Sequence, residues 1–282
     1  TVKTYNMASG LVIAGVDADP FSSPEALLPL IDAQTALVVV AYPDFLGRVY
    51  DYTALAEAVH AAGSLLCVSV NPTALGLLTP PGDFGADIVT GEGQPLGIPL
   101  AYGGPYLGLF ATRKEYVRKM AGRIVGESVD NRGQRAYVLT LTAREQHIRR
   151  EKATSNICSN QGLVALASAV YMSALGKHGL KQVAELCYHK AHYAAQKIAA
   201  IPGYQVLTST PFFHEFVVEC PKPVAELNEH MLEHGILGGY DLGQAYPHIP
   251  AMAQRMLVAV TEMNTKEDID LLVEALTEVH HD

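Results

Sequence analysis

Residues Thr35–Val70 read TALVVVAYPDFLGRVYDYTALAEAVHAAGSLLCVSV, two β-branched apolar runs flanking one amphipathic segment. Thr35–Tyr42 and Leu65–Val70 are nearly continuous in apolar residues, the pattern of strands buried on both faces. Tyr52–Ala62 carries the helical period and stops at Gly63, a residue suited to a left-handed helix end. Strand, helix and strand in this order predict a mostly parallel sheet with helices on both faces.

The alternation extends outward. Upstream, Val2–Ser9 reads as a helix end closed by Gly10, Leu11–Val16 as a buried strand and Pro24–Ile31 as a short helix. Downstream, Asp87–Thr90 and Gly108–Thr112 read as strands, the second leading into a helix over Lys114–Met120. Arg123–Leu141 is a glycine-punctuated crossing segment, and Arg144–Lys152 is a basic helix. Gln161–Leu175 is rich in Ala, Gly and Ser with apolar residues on most sides, so it is expected to be a buried helix. A long helix over Gly179–Ala200 ends at the Pro202-Gly203 turn. Strands Tyr204–Thr208, Glu215–Glu219 and Met256–Val260 then mix with helices Val224–His234 and Lys266–Val279. The expected division is a large α/β domain with a crossing segment and return helix over residues 1–184, and a small α+β domain over 185–282.

The 282 residues are 49% hydrophobic and 17% charged, with mean hydropathy +0.14, which predicts a well-packed globular chain. A net charge of −9 with no concentrated basic face argues against nucleic acid. Unbroken apolar runs such as Ala36–Tyr42 fall far short of a membrane span of ~20 residues, so no membrane association is expected. Cys67, Cys158, Cys187 and Cys220 form no CxxC pair and read as thiols in a reducing cytosol or organelle matrix. A cytoplasmic location follows as an expectation. His189 and His192 share a helix but have no carboxylate or Cys at ligand spacing. They read as exposed, and no metal is expected.

Two glycine loops stand out. Gly91-Glu92-Gly93-Gln94-Pro95-Leu96-Gly97 follows a strand, yet it is not GxGxxG and no P-loop lysine follows it. A plain tight turn accounts for it as well as an anion site does. Ala101-Tyr102-Gly103-Gly104-Pro105-Tyr106-Leu107-Gly108 sets two adjacent glycines between tyrosines. It fits either a turn leading into an antiparallel strand or a contact with a phosphate or a partner. The helix with Arg144, Glu145, Arg149 and Arg150 is read as a solvated face before an anion surface. No GxSxG elbow or protease-type cysteine motif occurs. No lysine lies between Lys3 and Lys114, so the predicted parallel strand ends lack the amine that Schiff-base chemistry requires.

Several stretches together resemble one family: Ala41-Tyr42-Pro43-Asp44-Phe45-Leu46-Gly47, Pro81–Val89 through Gly104-Pro105-Tyr106, Gly126–Asp130, Leu139–Arg150 and Ala153–Cys158. The chain resembles the first, non-lysine subunit of the glycine cleavage system P protein (glycine dehydrogenase, decarboxylating), over its whole length. Family members are longer at the N-terminus, which implies that this is the C-terminal two-thirds with an incomplete large sheet. The implied fold is the aspartate-aminotransferase type, the PLP-dependent transferase fold type I.

The implied activity belongs to a complex. A second subunit bears pyridoxal phosphate (PLP), glycine is decarboxylated, and the aminomethyl group passes to the lipoyl group of H protein. Aligning Gly85-Ala86-Asp87 with the family's strand start puts Pro95 at the Schiff-base lysine position and Val68 at that of the aspartate facing the pyridinium nitrogen. No catalytic residue and no covalently bound cofactor are therefore expected in this chain. The resemblance points to Gly103 and Gly104 as contacts to the phosphate of the partner's PLP. It makes Glu92, Gln94, Tyr102, Thr154, Ser155 and Asn156 candidates for lining the same cleft. A non-catalytic scaffold subunit and a self-sufficient PLP-dependent aminotransferase-like enzyme are the alternatives.

Overall fold

The computed structural model describes residues 2–16, 18–120, 122, 124–141, 146–153, 161–207 and 210–281. After a one-turn helix α1 (Val2–Asn6) and a 3-10 segment Pro24–Leu30 come β1 (Leu37–Tyr42), α2 (Thr53–Ala61), β2 (Leu65–Val70), β3 (Ile88–Glu92) and β4 (Gly108–Thr112). These strands form one sheet in the order β1-β2-β3-β4. The first three are parallel and β4 is antiparallel. Register sets Val40, Val68 and Val89 side by side. Above them α2 buries Leu55, Ala56 and Val59, so one sheet face and one helix face share a core with Tyr42, Tyr52, Leu66 and Phe84. Asp87, almost fully buried, fastens the entry to β3. Its carboxylate accepts the Leu66 N–H at 2.8 Å and meets His60 at 2.9 Å and Arg113 at 3.2 Å.

β5 (Ile124–Val129) and β6 (Arg135–Thr140) make a separate hairpin. The one-turn helix α3 (Gln146–Arg149) precedes α4 (Gly162–Ala199), a long helix broken at Gly176 (φ 60°, ψ −175°). Last come β7 (Gln205–Val206), β8 (Glu215–Glu219), α5 (Val224–Glu233), β9 (Tyr240–Asp241), α6 (Leu242–Ala245), β10 (Arg255–Ala259) and α7 (Lys266–His281). They build an antiparallel sheet in the order β7-β8-β10-β9. Its core joins Ala191, Ala194 and Ile198 of α4 to Leu227 and Met231 of α5 and Leu276 of α7. A fully buried leucine such as Leu227 contributes about 2 kcal/mol through area removed from water. Ala74, Ala184, Cys187 and Phe213 tie the two cores together.

Several expectations are corrected. Leu11–Val16 forms no strand, and Leu11 and Val12 are exposed because no described strand pairs with them. The crossing segment is a hairpin. The helix expected over Lys114–Met120 is only a 3-10 turn at Lys114–Tyr116. Gln161–Leu175 is helical but not buried: Leu163, Leu166 and Val170 are 82, 60 and 60% exposed. Among the described residues the large sheet is covered more fully on one face than on the other, where Leu37, Val39 and Phe110 are exposed although Cys67 is buried. By length and composition alone α4 would also suffice to cross a membrane, although its apolar residues are interspersed with polar ones. His192, expected to be exposed, is half-buried, its ring stacked on Phe212 at 4.0 Å, whereas His189 is exposed.

Candidate functional site

The carboxyl ends of parallel strands are where open α/β sheets place their sites. Here β1 ends at Tyr42 and Pro43, β2 at Val70 and Asn71, and β3 at Glu92. The Asn71 N–H donates to the Tyr42 carbonyl at 3.2 Å, holding the first two ends together. The third end carries the long loop that returns as β4.

That loop has a tied neck and an open tip. At the neck, Glu92 Oε1 accepts N–H groups from Gln94 (3.1 Å) and Leu107 (2.8 Å), and the Gly93 N–H donates to the Leu107 carbonyl. Gln94 Nε2 donates to the Ile98 carbonyl at 2.6 Å, and the Ile98 N–H returns a bond to the Gln94 carbonyl at 3.1 Å. Glu92 and Gln94 therefore spend these polar atoms on the loop's own backbone. Pro95 sits inside the turn so formed. Gly97 (φ 83°) lies so close to α4 that a Cβ there would overlap the Tyr171 ring at 2.6 Å. Burial, and secondarily the Glu262 charge, raises the pKa of that tyrosine.

At the tip, three successive residues have left-handed backbone: Tyr102 (φ 49°), Gly103 (φ 126°) and Gly104 (φ 137°). Such values suit glycine and cost a tyrosine about 1 kcal/mol. Nothing lies within 4 Å of a Cβ at Gly103, and only Tyr106 approaches one at Gly104. The amides of Gly103 and Gly104 have no hydrogen-bond acceptor among the described residues. Tyr102 is fully solvent-exposed and Tyr106 is half exposed beside them. The arrangement offers two unscreened backbone donors and aromatic surface, chemistry suited to an anion.

The structure brings Glu92, Gln94 and Pro95 together in the neck and Tyr102, Gly103 and Gly104 in the tip. Val68 is elsewhere, fully buried in β2 beneath α2. Thr154, Ser155 and Asn156 lie outside the described residues. Sequence reading missed Leu107 and Tyr171, which brace the loop. Their partners are set by tertiary contact, and no local spacing announces them.

The model of the glycine cleavage system P-protein family matches residues 1–276. A relative from Thermomicrobium roseum, named a probable glycine dehydrogenase (decarboxylating) subunit 1, is 56% identical over 90% of this chain and 56% of its own length. One of the same name from Brevibacillus brevis is 51% identical over 98% of this chain and 62% of its own. The chain thus spans about three-fifths of these curated relatives. A crystal structure of glycine decarboxylase (P-protein) in inhibitor-bound form superposes with TM-score 0.81 at 42% identity, covering 88% of this chain and 56% of the other. A cysteine desulfurase from Escherichia coli, at TM-score 0.64 and 18% identity over 92% of this chain and 62% of its own, shares the fold. The fold is that of the PLP-dependent type I enzymes. On the match across nearly its whole length, the chain belongs to the glycine cleavage system P-protein family.

Proposed function

We propose that this chain is the subunit of a glycine decarboxylase that does not hold PLP covalently. With a second, PLP-bearing subunit it decarboxylates glycine and delivers the aminomethyl group to the lipoyl group of H protein. The observation that carries this reading is a strand-end edge with two open glycine amides and no amine. Covalent attachment does not fit, since Pro95 and the fully buried Val68 supply neither imine-forming nitrogen nor a carboxylate. A phosphate contact does fit, because no side chain obstructs Gly103 or Gly104.

Bound PLP would supply the electron sink for breaking the bond to CO2. This chain would orient it: the Gly103 and Gly104 N–H groups would donate to its phosphate, with the Tyr102 and Tyr106 rings beside that end. The uncovered apolar residues of α4 and the large sheet are surface that a second chain would cover. In the same reading, residues 1–184 and 185–282 are the two domains, the setting is cytoplasmic, and neither nucleic acid nor membrane is a partner.

Mixing the chain with the PLP-bearing subunit and measuring glycine–bicarbonate exchange tests the proposal. Exchange is expected only in the mixture. Gly103→Val and Gly104→Val should each lower exchange at least about tenfold, the scale of one lost charge-assisted hydrogen bond, with the complex still assembled. Full exchange in both variants would favour a scaffold role. A PLP absorbance band from this chain alone would favour a self-sufficient enzyme.

A further inference from the structure

On the far side of the small domain, α5 and α7 pack side by side through Leu227, Met231, Leu276 and Val279. His230 lies in the last turn of α5, and His234 follows four residues later as the cap. Glu278 of α7 faces both. His234 Nε2 is 3.1 Å and His230 Nε2 is 3.7 Å from Glu278 Oε2. The three ligand atoms lie within 4.8 Å of one another. Ligands at about 2.0–2.1 Å on a tetrahedral ion stand roughly 3.3 Å apart, so the spacing already approximates one face of such a site.

Two further observations point to a ligand. The first is orientation. His234 Nδ1 lies 3.0 Å from the His230 carbonyl, which can only accept, so Nδ1 donates to it and Nε2 is held facing Glu278, where a cation would replace the proton shared with the carboxylate. A backbone carbonyl holding the remote ring nitrogen is the arrangement that orients metal-bound imidazoles. The second is an orphan: His230 Nε2 is buried and has no hydrogen-bond partner. A buried polar nitrogen left so costs roughly 1–3 kcal/mol, and coordination would remove that cost.

We propose that His230, His234 and Glu278 bind one divalent transition cation, zinc by preference, in a three-ligand site whose fourth position is water. Two imidazoles and one carboxylate suit zinc far better than magnesium or calcium, which favour oxygen ligands. The site clips the end of α5 to α7 and lies apart from the glycine loop. The expectation of no metal came from the cysteines, which form no CxxC pair, and from His189 and His192, none of which belongs to this group.

Titration of the full chain with zinc chloride at neutral pH is expected to give one equivalent bound with a Kd below about 100 μM. Cobalt substitution should give the visible absorption of a four-coordinate ion. His234→Ala and Glu278→Gln, both at exposed positions, should each weaken zinc at least tenfold. Replacing His189 and His192, or His280 and His281, should leave it unchanged. No binding below 100 μM, or full binding in His234→Ala, would overturn the assignment.

Discussion

Gly47→Ala is expected to lower the unfolding free energy by about 3–5 kcal/mol. Gly47 has φ 81°, and a Cβ there would land inside the carbonyl group of Glu215 and 2.9 Å from its side chain. Neither partner can retreat. Glu215 opens β8, an interior strand of the small-domain sheet, and the Phe213 N–H donates to the Gly47 carbonyl at 3.2 Å. The loop after β1 is also pinned by Asp44, whose carboxylate holds the Arg48 amide at 2.8 Å and its guanidinium. Gly63→Ala is the control. It shares the left-handed backbone (φ 78°) but has nothing within 4 Å, so only the conformational cost of about 1 kcal/mol remains. Urea midpoints of the two variants should differ widely. Equal midpoints would mean the approach of the β1 loop to β8 is looser than described.

A second large effect is the pH dependence carried by Glu215. Burial, reinforced by the Asp44 charge, pushes its pKa from 4.5 up to about 7. The folded state therefore holds this proton more tightly than the unfolded chain. Its contribution is most favourable below pH 4.5 and is lost as pH rises towards 7, by roughly 3 kcal/mol if the whole shift is expressed. Glu215→Gln should accordingly be more stable than the parent at pH 8 by about 1–3 kcal/mol and equal to it near pH 4. His214 titrates in the opposite sense, since burial pushes its pKa down to about 4. The parent's own curve mixes the two, and the difference between variant and parent isolates the carboxyl. A difference that does not change between pH 4 and 8 would refute the argument.

The parts of the fold legible in sequence were those where period and punctuation agree. β1, α2 and β2 declared themselves through β-branched runs and a Gly63 stop, and β8, α5 and α7 did so in the same way. The hairpin β5–β6 did not. Gly126 and Ser128 interrupt its apolar run, and its turn depends on Asp130 accepting the Arg132 and Gln134 amides rather than on a two-residue Asn-Gly signal. Composition made the first half of α4 look buried, but composition cannot report whether another surface is present to cover a helix. Within the candidate site, Gly103 and Gly104 were visible as an unusual pair. The internal use of Glu92 was not, because it depends on Leu107 returning from the far side of the loop. The His230–His234–Glu278 group escaped for a similar reason, with its third member on another helix.

The break in α4 constrains how this chain can vary. At φ 60° and ψ −175°, Gly176 occupies a corner of backbone space essentially closed to residues with a side chain, although nothing lies within 4 Å of where a Cβ would sit. Room for an extra methyl is plentiful and the torsion angles forbid it. In a saturation library this roomy position should tolerate replacement as poorly as the interior does, and inheritance would keep it a glycine without any contact to defend.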